Sequence, residues 1–227
     1  MTTSRALVDA DRATLAELTP VVRRAVALDA RSVVRFRFDA HRATVLVRLP
    51  FGVLVSRSVE VDDSGDDAAG DPTGGPVDVA LGAADALAWL DDDDSPPPAA
   101  RDADWRSGLP PHLGWQRVET VPDDVVRPLV RSGALALKDA AAREGVPGAH
   151  PRAEVADALL DAVVLTVRDD AGAQAEITLR ALSALTRMGF LPKGGLTHID
   201  VSGRWVRIVA GYGTVYLERP GSGLLLH

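Results

Sequence analysis

The sequence predicts an α+β fold built as two antiparallel β-rich halves with packed helices, joined by an acidic, Pro-rich linker. Three observations point there. Short runs alternating between apolar and polar residues cluster at 33–61 and again at 163–219. Segments with helical spacing precede and separate them. Between the halves, DDDDSPPPAARDAD at 91–104 is too charged and too rich in proline to fold by itself. The expected organisation is therefore 1–90, a linker at 91–104, and 105–227.

Residues 9–29 read as helix with a boundary near Thr19-Pro20, where threonine suits a cap and proline the first helical position. A three-stranded meander follows. VVRFRF (33–38) sets Val34, Phe36 and Phe38 against Arg35 and Arg37; ATVLVRL (43–49) and VLVSRSVEV (53–61) continue it. Arg57 falls on the apolar face of Val53, Val55, Val59 and Val61. A cation there is expected to emerge from the core or to meet a carboxylate or an anion. Residues 62–76 read as a flexible loop, and ALGAADALAWL (80–90) as a short helix.

In the second half, WRSGLPPHLGW (105–115) reads as extended with a tryptophan at each end, and WQRVETV (115–121) as a strand. A helix is expected from Asp123 to about Arg143, interrupted or started by Pro128, and another over 151–160. VVLTVRDDAGAQAEITL (163–179) carries two alternating runs around Asp169-Asp170-Ala171-Gly172, the pattern of a hairpin with a type I turn. A short helix at 180–188 and three strands, THIDV, RWVRIV and TVYLER, complete the chain.

Charge is segregated. Residues 61–104 hold thirteen Asp, no Glu and one Arg, a net of −12; the whole chain is −7, so the remainder is +5. An acidic strap is thus carried by a mildly basic body, and overall charge misrepresents the surface a partner would meet. Residues 31–60 are +4 and residues 172–227 are +3. Only Lys138 and Lys193 are lysine. Such an arginine excess fits codon bias in a high-GC bacterial genome, and guanidinium groups bind carboxylates and phosphates in bidentate fashion. One expectation is that the strap folds over a basic face and competes with anionic partners; the other is that it only keeps the protein soluble.

With no cysteine, disulfides, thiolate metal sites and cysteine nucleophiles are excluded. No signal peptide or membrane span is evident, and a cytoplasmic location is expected. The histidines at 41, 112, 150 and 198 are never paired at metal-binding spacing, and hydrolase, metalloprotease and dinucleotide fingerprints are absent. Lys193-Gly194-Gly195 reverses the order of a phosphate-binding loop. No cofactor is implied.

The candidate anion- or partner-binding residues are Arg35, Arg37, Arg57, Arg204, Trp205, Arg207, Tyr212 and Tyr216, the arginines and aromatics of the two basic sheets. They suit a non-catalytic binding or adaptor module with a protein or anionic partner. Nucleic acid is a weaker option, because a segment charge of a few units is small for such an interface. Self-association is compatible with this reading, and a membrane partner is not expected.

Two alternatives remain open from the residues alone. RALSALTRMGFL (180–191), followed by a Gly-turned hairpin, resembles the recognition helix and wing of a winged-helix domain, with 151–160 as the partner helix. That resemblance implies a DNA-binding regulator, although a hairpin at 163–179 replaces the short turn it requires. The other alternative is an enzyme with a dispersed site, for which Arg57, Arg207, Tyr216 and Glu218 are the natural candidates.

Overall fold

The computed structural model describes residues 12–39, 41–61, 77–92, 94–143 and 153–219; the loop expected at 62–76 lies outside them. The chain divides into two compact units, Met1–Leu109 and Pro110–His227. Both mix helices with antiparallel sheet, so the α+β class holds.

In the first unit, helices α1 (Arg12–Ala16) and α2 (Thr19–Leu28) precede strands β1 (Val33–Asp39), β2 (Arg42–Arg48) and β3 (Leu54–Glu60). Then come β4 (Val77–Gly82) and helix α3 (Ala83–Asp91). The strands pair in the order β4-β1-β2-β3. Register puts Val34, Val47, Val55 and Leu81 in one row and Phe36, Val45 and Val79 in the next, all on one face and all buried. Helices cover that face: α2 buries Val21, Val22 and Ala25, and Trp89 of α3 meets Phe36 edge-on at 6.5 Å.

Two local expectations change. Leu18, not Thr19, occupies the cap of α2, and no side chain caps it; Thr19 is already helical and buried. ALG (80–82) is strand and not helix, because Val79 and Leu81 alternate with Asp78 and Ala80 along β1. The helix starts only at Ala83. Beyond it, the Arg101 amide donates to the Ala80 carbonyl, and Asp102 accepts from the Ala80 amide at 2.8 Å. The outer edge of β4 is covered in this way.

The second unit contains β5 (Gln116–Pro122), α4 (Asp123–Arg143), α5 (Ala153–Leu160), β6 (Val163–Arg168) and β7 (Gln174–Thr178). It ends with α6 (Leu179–Arg187), β8 (Leu196–Ser202), β9 (Trp205–Ala210) and β10 (Gly213–Glu218). Its sheet runs β10-β9-β8-β5, and β6 and β7 form a separate hairpin. The type I turn appears as expected: the Gly172 amide bonds the Asp169 carbonyl, and Gly172 has φ +89°. Pro128 lies in the second turn of α4 without ending it.

The hairpin between α5 and α6 overturns the winged-helix alternative. A helix–turn–helix needs its two helices joined by a short turn, and here Val163–Thr178 folds as two paired strands between them.

Helix α6 fills the core of the second unit. Leu179, Ala181, Leu182, Ala184 and Leu185 are buried, and the helix packs on β10 and α4. The start of α4 is fixed to the sheet: the Asp123 amide bonds the Gly195 carbonyl, and the buried Asp123 carboxylate accepts from Thr197 Oγ1 at 2.7 Å. Gly133 lets α4 approach α6, since the Leu179 side chain occupies the place of a Cβ there. Ala is normally favoured over Gly in a helix by about 1 kcal/mol. Gly133→Ala should nevertheless destabilise the protein by about 1–2 kcal/mol through overpacking. Urea denaturation checks this, and a gain in stability would show that α4 and α6 are not so closely packed.

Candidate functional site

The expected site residues separate into groups. Arg35 and Arg37 lie on the side of β1 away from the helices, facing Asp78 on β4. Arg37 grips Asp78 with both ends of its fork, Nε at 2.9 Å and a terminal nitrogen at 2.8 Å, and Arg35 reaches the same carboxylate at 3.2 Å. Trp105 stacks over Arg35 at 5.7 Å. These guanidiniums are largely withdrawn from water, with side-chain exposures of 19% and 12%. Burial alone would raise the Asp78 pKa; hydrogen bonds and charge from Arg37 and Arg35 outweigh it and hold the carboxyl below its usual range.

Arg57 shares the helix-covered face with Val45, as its position in the sequence implies, and points towards Glu17 at 3.9 Å. It is therefore on the opposite side of the sheet from Arg35 and Arg37.

In the second unit, register brings Tyr216, Arg207, Asp200 and Arg117 into one row across all four strands. Asp200 is fully buried. It accepts from Arg207 Nε at 2.7 Å on one oxygen and from Arg117 Nε on the other. The two arginines stay partly open, with 28% and 48% of their side chains exposed. Trp115 lies over the Arg207 guanidinium at 4.4 Å and beside the Tyr216 ring at 6.1 Å. The indole Nε1–H of Trp115 donates to the Pro111 carbonyl at 2.9 Å, which fixes the ring.

His198, two residues from Asp200 and on the same face, lies beside this row, opposite Thr120 and Val209. Its Nδ1 receives a hydrogen bond from Arg117 at 2.9 Å and faces Thr120 Oγ1 at 3.0 Å. Arginine can only donate, so Nδ1 is the acceptor in its contact with Arg117.

Three expected residues lie at the margins. Arg204, in the turn before β9, pairs with Glu218 at 3.0 Å. Trp205 is buried beneath it. Tyr212, in the turn after β9, is half exposed. A six-residue strand separates these two turns by roughly 20 Å.

The residues missing from the expected set are Arg117, Trp115, Asp200 and His198. Period-two spacing in THIDV does put His198 and Asp200 on one face. The pairing of β5 with β8, across 83 residues between Arg117 and Asp200, had no sequence signal. Among the described residues, no group of His, Cys, Asp or Glu is placed to hold a metal ion, and no helix is long and apolar enough to cross a membrane.

Solved sliding clamps resemble this chain in fold. The beta subunit of DNA polymerase III from Pseudomonas aeruginosa superposes on 92% of this chain with a TM-score of 0.54 at 12% identity. The sliding clamp of Bartonella birtlesii, solved with griselimycin bound, covers 94% at a TM-score of 0.55 and 13% identity. The beta subunit of Streptococcus pyogenes DNA polymerase covers 92% at 0.55 and 9%. At these identities the likeness is one of fold. The chain matches 63%, 64% and 63% of these three structures, so it spans a little under two thirds of their length.

Two family models match in succession: a domain of unknown function, DUF8010, over residues 2–107, and a second, DUF8185, over residues 110–222. Their junction coincides with the division between the compact units. No curated protein sequence matches the chain.

The Asp78 cluster should make stability fall in acid. A carboxyl with a depressed folded pKa contributes stability that is complete above its unfolded value, near 3.8, and is lost as pH falls below it. Asp78→Asn should cost about 1–3 kcal/mol at pH 7, because two guanidiniums lose their counter-charge. It should also flatten the fall in stability below pH 4, measured by urea denaturation at a series of pH values. An unchanged acid profile would mean that Asp78 is not the group responsible.

Proposed function

We propose that this chain is a non-catalytic binding protein that takes an acidic segment of a protein partner on the Arg117–Asp200–Arg207 face of its second unit. The observation that supports this is the buried Asp200 carboxylate shared by two partly open arginines. The carboxylate orients both guanidiniums and cancels only one of their charges. The face is left with fixed donors, a net positive charge and the plane of Trp115 beside them. A carboxylate arriving there meets pre-oriented partners and loses little entropy in binding.

The Arg35–Asp78–Arg37 cluster is the weaker candidate despite the same chemistry, because its guanidiniums are mostly buried. The solved structures of like fold are named as subunits of a DNA polymerase and as sliding clamps. That supports a protein that works through its partners and not through chemistry of its own. A bacterial, cytoplasmic setting belongs to the same proposal and rests on composition.

The test is titration of the full chain with a synthetic Asp/Glu-rich peptide and, separately, a mixed single-stranded oligonucleotide, following tryptophan fluorescence at low salt. The peptide should bind, and Arg207→Met should weaken it about tenfold, or about 1.4 kcal/mol. Tighter binding of the oligonucleotide would move the reading to nucleic acid. No response to either anion would overturn it.

A further inference from the structure

Helices α4 and α5 are covered less than the other helix of the second unit, α6. In α4, Asp123 and Val126 are buried in the first turn, and no described side chain is buried after Val126. No described side chain of α5 is buried, although Val155, Ala156, Ala158, Leu159 and Leu160 make it largely apolar. At eight residues, α5 is shorter than the roughly 12–15 residues at which an isolated helix becomes even marginal in water. Its visible anchor is Arg180 of α6, which bonds Asp157 at 3.0 Å and Asp161 at 2.7 Å.

The exposed sides of the two helices are chemically matched. On α4, Arg131, Leu135, Lys138 and Ala142 fall at steps of four, three and four residues, so they form one ridge, and all four are exposed. Leu135 is 57% exposed. On α5, Glu154, Val155 and Ala158 are exposed. Among the described residues, Arg131, Lys138 and Glu154 make no ion pair. The α4 ridge sets Arg131 and Lys138 around a leucine, with the exposed Asp139 at its edge, and α5 sets Glu154 beside a valine; α4 and α5 pack against each other.

We propose that this helix pair is a self-complementary face on which a second copy of the chain docks. A two-fold axis would lay the Arg131–Leu135–Lys138 ridge of each copy on the Glu154–Val155–Ala158 ridge of the other. Each unpaired charge then finds its opposite, and Leu135 packs on Val155 and Ala158. The size of the face sets the strength. At 1.5 Å per residue α4 is roughly 30 Å long, and two adjacent helices offer on the order of 600 Å² per copy. That is below the roughly 800 Å² per partner of a standard stable interface, so the dimer is weak and depends on concentration.

Sedimentation velocity on the full chain, from about 1 to about 300 μM, tests this. A dimer should appear at tens of micromolar and above. Glu154→Arg should weaken it at least tenfold, and adding Arg131→Glu and Lys138→Glu to that variant should restore it. The restoration separates loss of contact from loss of folding. Leu135→Arg should leave the chain monomeric with an unchanged circular dichroism spectrum. A chain that stays monomeric throughout, as expected if a different protein covers this face, overturns the proposal. So does a dimer indifferent to Glu154→Arg and Leu135→Arg, which would use another surface.

Discussion

Asp200 is the constraint on which the exposed side of the second unit depends. A fully buried carboxylate is costly unless its charge is met and its lone pairs are used. Here both oxygens are taken by guanidiniums from the two flanking strands. Arg207 in turn carries Trp115, and Arg117 carries His198. Five side chains from three strands or their immediate ends are thereby held in fixed relation by one charge. Removal of that charge would leave two cations close together, with repulsion in place of attraction.

The same device occurs in the first unit with a different outcome. Asp78 also serves two arginines, and a tryptophan also lies over one of them. The difference is depth. Arg35 and Arg37 are nearly enclosed, so their pairing with Asp78 contributes to stability and offers little to a partner. Arg117 and Arg207 keep open surface, so the same chemistry is available for recognition. Exposure, and not residue type, separates the two clusters.

This changes how the charge pattern is understood. Asp78 belongs by position to the acidic stretch of 61–104, yet it is a strand residue that neutralises two arginines of the supposedly basic first sheet. Asp91 pairs with Arg23, and Asp102 bonds the β4 backbone. Part of the acidic strap is thus integral to the fold. Local alternation was legible throughout: it placed the hairpin at 163–179, put Arg57 on the covered face and separated Arg35 and Arg37 from it. β4 was hidden because Ala80 and Gly82 have weak strand preference and run directly into a helix. The Arg117–Asp200 pair was hidden because local periodicity carries no information about which distant strands become neighbours.

The central claim is that recognition occurs at Trp115 and its two arginines. The most direct measurement is a two-dimensional nitrogen–proton spectrum of the four tryptophan indoles, at 89, 105, 115 and 205, during addition of an acidic peptide. The account predicts that the Trp115 signal moves with increasing peptide while Trp89, in the core of the first unit, stays still. Movement of Trp105 with Trp115 unchanged would contradict it and point to the Arg35–Asp78–Arg37 cluster instead.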